Sequence, residues 1–295
     1  MSAGARLSLN TATVRERWNL AQAIDGCARH GVRGIAPWRD KLAELGVTEA
    51  ARRIRANGLT VTGLCRGGMF PAADAAGRRA AIEDNLRAID DAAALGAQCL
   101  VLVAGGLPPH SRDLAGARGM VADGIAAILG HARAARVPLA IEPLHPMYAA
   151  DRACVNTMAQ ALDLCDLLDP AGRHGELPRQ SPDGAPWQPA AALGVAVDVY
   201  HTWWDPNLQR DVERAGASRL LAFHICDWRV PTRDLLLDRG MMGDGVIDLR
   251  LIRSWVESGG YRGLHEVEIF SAADWWQRDP DEVLEIIQQR HERCC

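Results

Sequence analysis

The sequence predicts a single α/β domain, a (β/α)8 TIM barrel, and three observations carry that prediction. Short apolar runs alternate with amphipathic helical stretches through eight rounds. No second composition regime interrupts the alternation, so one domain is expected over residues 1–295. Four of the apolar runs also end in a charged or imidazole group: AIEPLH (140–145), AVDVYH (196–201), AFHICD (222–227) and EVEIF (266–270). Barrel enzymes carry functional groups at the C-terminal ends of parallel strands. An open doubly wound sheet is the alternative. It normally carries a Gly-rich phosphate turn after its first strand, and LSLNTATVRER (7–17) has no glycine.

The elements follow in order. Strand one is Leu7–Asn10, and helix one, Leu20–His30, stops at Gly31. Strand two, Gly34–Pro37, runs into Trp38 and Arg39; helix two is Val47–Asn57, with Gly58 just past its end. Strand three, Thr60–Leu64, leads into Cys65-Arg66-Gly67-Gly68, where glycines permit a close backbone approach. Helix three is Gly77–Leu95, strand four Cys99–Val103 and helix four Leu114–Ala135. Strand five, Pro138–Glu142, precedes helix five, Thr157–Leu168. Residues 170–190 are rich in Pro and Gly without periodicity and read as a surface insertion. Strand six is Gly194–Asp198, helix six Pro206–Ala215 and strand seven Leu220–Ile225, followed by a long loop, Asp227–Gly245. Helix seven (Leu249–Ser258), strand eight (Leu264–Ile269) and helix eight (Pro280–His291) complete the series.

Bulk properties narrow the function. Hydrophobic residues at 48% and charged residues at 24% suit a folded globular chain. A net charge of −4 argues against nucleic acid as a partner. No run reaches the roughly 18 apolar residues of a membrane span. The eight cysteines contain no CxxC pair, and MSAGARLSLN lacks a secretory apolar core. A reducing, cytoplasmic setting without disulfides is expected, with Cys294 and Cys295 exposed.

The chemistry rests on the four strand ends. A buried carboxylate is costly unless it is paired, hydrogen-bonded or bound to a cation. Glu142, Asp198, His224 and Glu268 converge on one mouth, and three carboxylates with one imidazole suit a hard divalent ion. One ion per chain is expected: Mn2+, with Mg2+ and Co2+ as alternatives. The competing reading makes each a satisfied polar residue of its own strand end; it weakens when all four coincide. Glu142 and Glu268 then act as base and acid on opposite sides of a substrate, while the metal polarises a carbonyl and a neighbouring hydroxyl. Glu266 shares a strand face with Glu268, one step deeper, and reads as an interior group.

Other residues carry two readings each. His145 and Arg66 are candidate substrate contacts or incidental loop residues. Trp38, Trp203, Trp204, Trp228, Trp275 and Trp276 follow strand ends, where an aromatic face stacks a sugar's C–H surface or simply packs. Met241–Gly245 reads as a cover over the site or as a turn before a helix capped by Asp248.

The motifs IEPLH (141–145), DVYH (198–201), HICDWR (224–229), GDGVID (243–248) and VEIF (267–270) resemble the sugar isomerase/epimerase family with a xylose-isomerase-like barrel. That family includes ketose 3-epimerases, hydroxypyruvate isomerase and inosose dehydratase. The resemblance implies Glu142, Asp198, His224 and Glu268 as metal ligands and Glu142 and Glu268 as the acid/base pair. It also implies His201 and Arg229 as substrate-binding residues, a metal-stabilised enediolate, and a dimer or tetramer. The expected function is a metal-dependent isomerase or epimerase acting on a small ketose or polyol. A dehydratase on a keto-cyclitol or keto-sugar is the alternative. An apurinic-site endonuclease fits less well, because strands two to four end in Trp38, Arg66 and Gly105 rather than histidine. A non-catalytic sugar-binding barrel has no need of both acid/base carboxylates. No phosphate-binding loop is evident, which favours a free sugar, cyclitol or sugar-acid-like compound.

Overall fold

The computed structural model describes residues 6–174 and 191–295. Eight parallel strands come first: β1 (Leu7–Asn10), β2 (Gly34–Ala36), β3 (Thr60–Val61), β4 (Leu64–Gly68), β5 (Leu100–Val103), β6 (Leu139–Glu142), β7 (Leu193–Asp198) and β8 (Leu220–Ile225). An antiparallel hairpin, β9 (Asp227–Trp228) with β10 (Arg239–Gly240), precedes the last parallel strand, β11 (His265–Val267). The parallel sheet runs β3-β2-β1-β11-β8-β7-β6-β5-β4. Its two ends are consecutive in the chain. β3 and β4 are halves of one barrel strand broken at Thr62–Gly63, and bonds from Cys65 N to Pro37 O and from Leu64 N to Cys99 O close the cylinder.

Helices α1 (Leu20–His30), α2 (Arg39–Leu45), α3 (Val47–Ala56), α4 (Ala75–Leu95), α5 (Leu114–Ala135), α6 (Met158–Leu168), α7 (Val199–Thr202), α8 (Leu208–Arg219), α9 (Leu249–Ser258) and α10 (Pro280–Cys294) connect the strands. The TIM barrel expected from the alternation is therefore present. Sequence periodicity missed α2, which buries only Leu42 and so leaves almost no apolar stripe. It missed α7 too, a single turn that Asp198 caps by accepting from Tyr200 N. Of the expected insertion, Pro170–His174 forms a 3-10 turn and the remainder lies outside the described residues. Cys294 and Cys295, expected to be exposed, are half-buried against the core, because the last turn of α10 packs inward.

Strand alternation sorts the core into two layers. Ile141, Val195, Val197, Phe223 and Ile225 face the helices. Ala140, Ala196 and Ala222 fill the barrel interior with Cys65, Cys99 and Val101. Each ligand-type residue follows two positions after an interior residue: Ala140 before Glu142, Ala196 before Asp198, Ala222 before His224. On β11 the corresponding residue is Glu266. The tight wall on the other side comes from Gly68. A Cβ there would fall 1.9 Å from Val103 O, at a φ of +99°, so the Gly67-Gly68 pair brings β4 against β5 rather than against a ligand.

Candidate metal centre and active site

Register brings the four strand ends level. Asp198 on β7 pairs with His224 on β8, and Glu268 N donates to Ile225 O just past β11. The side chains of Glu142, Asp198, His224 and Glu268 each offer one ligand atom, and these atoms lie within 4.8 Å of one another. All four residues are at most 5% exposed.

The polar atoms of this cluster are incompletely satisfied. Glu142 Oε1 and His224 Nδ1 are 2.8 Å apart, yet their angles do not make a hydrogen bond. Neither atom makes another hydrogen bond, nor does His224 Nε2, which lies 3.4 Å from Glu266 Oε1. Buried polar atoms left unpaired cost several kcal/mol in general (roughly 2–7). A carboxylate oxygen and an imidazole nitrogen that face each other at this range are ligand-type atoms that one cation can bind. The residues present therefore fit a divalent ion held by three carboxylates and one imidazole.

Beneath them Glu266 is fully bonded. Its Oε1 accepts from Asn10 Nδ2 at 2.7 Å and its Oε2 from the Thr62 hydroxyl at 2.7 Å. Asn10 also donates to Glu268 Oε1 at 3.0 Å, and its own oxygen accepts from Trp38 Nε1 at 2.8 Å. Asn10 thus ties the deeper carboxylate to the outer one. It ends β1 as the other polar groups end their strands, so the same sequence rule could have found it.

Arg239, on β10, closes the mouth. Its Nη1 lies 3.1 Å from both Asp198 Oδ2 and Glu268 Oε2, and its Nη2 lies 3.1 Å from His201 Nε2. The guanidinium rests on the rings of Tyr200 and Phe270, at 4.4 and 5.1 Å. His201 faces a donor on each ring nitrogen, Arg239 on one side and the His145 backbone N–H at 3.2 Å on the other. A neutral imidazole accepts at only one nitrogen, so one of these contacts is not a hydrogen bond in either tautomer.

The electrostatics follow from burial and these charges. Burial alone would push His224 down, but Glu266, the close Glu142 and Glu268 outweigh it and hold the imidazole well above its ordinary range. Burial raises the Glu268 carboxyl to about 8, with Arg239 opposing and Glu142 reinforcing. Burial would also raise Asp198, yet Arg239, His201 and His224 bring it below its ordinary value. His201 is pushed down to about 3, chiefly by burial and against the pull of Asp198, so it is neutral.

The other sequence candidates divide. Trp38 and Arg66 line the cavity above Glu142 and Glu268, together with Arg152, Leu236, Arg239 and Phe270. That cavity is narrow, about 30 Å³. His145 stands behind His201, stacked on Trp228 at 5.0 Å, and does not line it. Arg229 is elsewhere. Its guanidinium is 2.6 Å from Asp274 and 3.3 Å from Asp244, in a separate surface groove. The physical reason is the hairpin. Arg239 pairs with Trp228 across β9 and β10, so the guanidinium at the mouth arrives on the returning strand, a position that linear spacing from His224 cannot show. The turn at Met241–Gly245 is organised by Asp227, whose carboxylate accepts from Gly243 N and Gly245 N, both at 2.9 Å.

The xylose isomerase-like TIM barrel family model matches residues 24–287, and the chain belongs to that family. A crystallised protein from Sinorhizobium meliloti 1021 is 57% identical, with a TM-score of 0.90, over 99% of this chain and 98% of its own. At 20% identity, the structure of the IolI protein with a bound zinc atom superposes with a TM-score of 0.79, covering 98% of this chain and 97% of that one. The 3-keto-D-glucoside 4-epimerase of E. coli, 18% identical, does so with 0.72 over 98% and 99%. No functionally curated protein matches the chain. Among the described residues, no helix is long and apolar enough to cross a membrane.

Proposed function

We propose that this chain is a metal-dependent isomerase or epimerase acting on a small ketose or related polyol. The observation that carries the reading is the convergence of Glu142, Asp198, His224 and Glu268 within 4.8 Å, with ligand-type atoms of Glu142 and His224 left unpaired. Fold neighbours support it: a 3-keto-D-glucoside 4-epimerase and a D-psicose 3-epimerase share the barrel.

The four residues would hold one divalent cation, Mn2+, Mg2+ or Co2+. When bound, the ion supplies Lewis acidity toward a carbonyl and its neighbouring hydroxyl. The chain's own residues do the rest. Glu142 and Glu268 stand on non-adjacent strands and address a substrate carbon from two sides, one removing a proton and the other returning one. Asn10 fixes the Glu268 carboxylate through Oε1. Neutral His201 and cationic Arg239 face the same space and would hold substrate oxygens. Leu236 and Phe270 exclude water from above.

Two measurements test this together: bound metal by elemental mass spectrometry after Mn2+ loading, and deuterium uptake from heavy water into a panel of ketoses. One ion per chain, lost in Glu142→Gln and His224→Gln, with exchange abolished in Glu268→Gln, is expected. Wild-type exchange in Glu268→Gln would sink the mechanism. Two or three zinc ions per chain would replace it with a hydrolytic site.

A further inference from the structure

The cavity that Arg239 lines carries two more guanidiniums, and neither belongs to the proton-transfer machinery. Arg66 follows the first residues of β4, and Arg152 follows the 3-10 turn Pro146–Tyr148. Both line the same cavity as Glu142 and Glu268. Arg66 Nε is buried without a hydrogen-bond partner. Among the described residues, neither guanidinium has a carboxylate within 4 Å. Arg39, by contrast, is paired with the Asp84 carboxylate at 2.7 Å, and Arg118 donates to the Cys154 backbone carbonyl at 2.8 Å. The Arg152 guanidinium sits over the Tyr148 ring at 5.7 Å, a contact that leaves its N–H groups available. Burial, then the charge of Arg152, holds Arg66 below its ordinary range, so the two cations are close enough to repel.

Two like charges in one closed cavity are unfavourable unless a third group offsets them. Guanidiniums bind planar or tetrahedral oxyanions through paired N–H donors, which a hydroxyl cannot match. Trp38 and Phe270, in edge-to-face contact at 5.5 Å, supply an apolar wall along which a carbon chain can lie between these arginines and the carboxylates.

We propose that Arg66 and Arg152 bind an anionic end group, a carboxylate or a phosphate, on a short polyhydroxy carbonyl substrate whose reacting carbon lies between Glu142 and Glu268. This deepens the isomerase or epimerase reading and rests on it. The substrate class is then a keto sugar acid or a ketose phosphate rather than a neutral ketose. Leu236, from the hairpin tip, lines the same cavity.

Calorimetric titration of the Mn2+-loaded chain with four unreactive probes tests it: D-gluconate, D-glucitol, D-glucitol 6-phosphate and, for charge alone, inorganic phosphate. Gluconate or glucitol 6-phosphate is expected to bind roughly tenfold or more tightly than glucitol. Whichever leads names the anion. That lead should vanish in Arg66→Gln and in Arg152→Gln while Mn2+ content stays at the wild-type value. Arg152→Lys, which keeps the charge but loses the fork, should recover part of it and replaces Arg152→Gln if that variant does not fold. The proposal falls if glucitol binds as tightly as its charged relatives, or if the advantage survives both substitutions, as it would if the anion sat only on the metal. It falls equally if inorganic phosphate alone binds and neither sugar anion does. The same titration on metal-free protein separates the two readings. An arginine-dependent anion preference with no retained metal would overturn the proposed enzymatic function and leave the anion site standing.

Discussion

The Arg239 guanidinium lies 3.1 Å from the Glu268 carboxylate, and the same nitrogen is equally near Asp198. Two carboxylates of a cluster built to hold a cation thus share one fixed positive charge, brought in by a hairpin. Removing one partner of a buried charge network leaves the others uncompensated. Arg239→Gln is therefore expected to cost the metal-free protein about 3–5 kcal/mol of stability, and saturating Mn2+ should restore part of it. Arg229→Gln, in a half-exposed network where Arg278 still reaches Asp274, should cost roughly 1 kcal/mol or less. Urea unfolding of the two variants, with and without Mn2+, checks the order; a larger loss at Arg229 would contradict the assignment.

Asn10 makes a second prediction. It donates to Glu266 and to Glu268, at 2.7 and 3.0 Å. Groups that orient metal ligands commonly contribute 10–100-fold to metal affinity. Asn10→Ala should lower Mn2+ affinity by roughly that factor without changing the stoichiometry of one. Loss of the stoichiometry instead would make Asn10 a ligand, and unchanged affinity would reduce its role to packing.

What was legible in the sequence follows from what strands do to side chains. Parallel barrel strands are buried on both faces, so a polar residue at a strand end stands out against an apolar run; Glu142, Asp198, His224 and Glu268 were found that way. Asn10 obeys the same rule but is uncharged, and a single amide after LSL reads equally well as a cap, which it also is. Arg239 was illegible because its position depends on the β9–β10 fold-back, and no periodicity marks a two-residue strand. Arg66 was visible but ambiguous: exposure decides between a solvated loop charge and a cavity wall, and exposure is a tertiary property. The break of barrel strand three at Thr62–Gly63 was hidden because both halves are apolar enough to read as one run.

The opposite end of the barrel yields a pH prediction. His265, the first residue of β11, and His291, on α10, are buried with Nδ1 and Nε2 2.9 Å apart. Arg6, Arg253 and Glu257 face them. Burial pushes His291 down to about 4 and His265 to about 2, with the nearby cations adding to it. Both are therefore neutral when folded, while the unfolded chain takes up protons below about 6.5. The unfolded state binds more protons as pH falls, so stability is present above about 6.5 and declines as pH drops toward 4. Between pH 7 and pH 5 the wild type should lose about 2 kcal/mol more than His291→Gln does, by urea unfolding at both values. Parallel losses would mean that His291 is already solvated or protonated in the fold.

The last prediction concerns access. The cavity above the carboxylates is narrow, about 30 Å³, and Leu236 of the hairpin tip forms part of its wall. The tip is held by Tyr148 and Tyr200, whose hydroxyls both donate to Leu235 O. Arg233 and Asp238 brace it from within at 2.8 Å. At its base, Arg239 N donates to Phe270 O. A net hydrogen bond contributes about 1 kcal/mol, so the paired substitution Tyr148→Phe with Tyr200→Phe should favour the open tip by about 2 kcal/mol, roughly thirtyfold in population. Native-state hydrogen exchange at the Ala272 amide, which donates to Leu237 O across the tip, reads that population. Faster exchange there, with the amides of β7 and β8 unchanged, is the expected result. It should be accompanied by faster substrate entry and faster product loss, because both pass the same tip. Exchange that is unaltered, or that accelerates throughout the barrel, would show that the tyrosines do not hold a local gate.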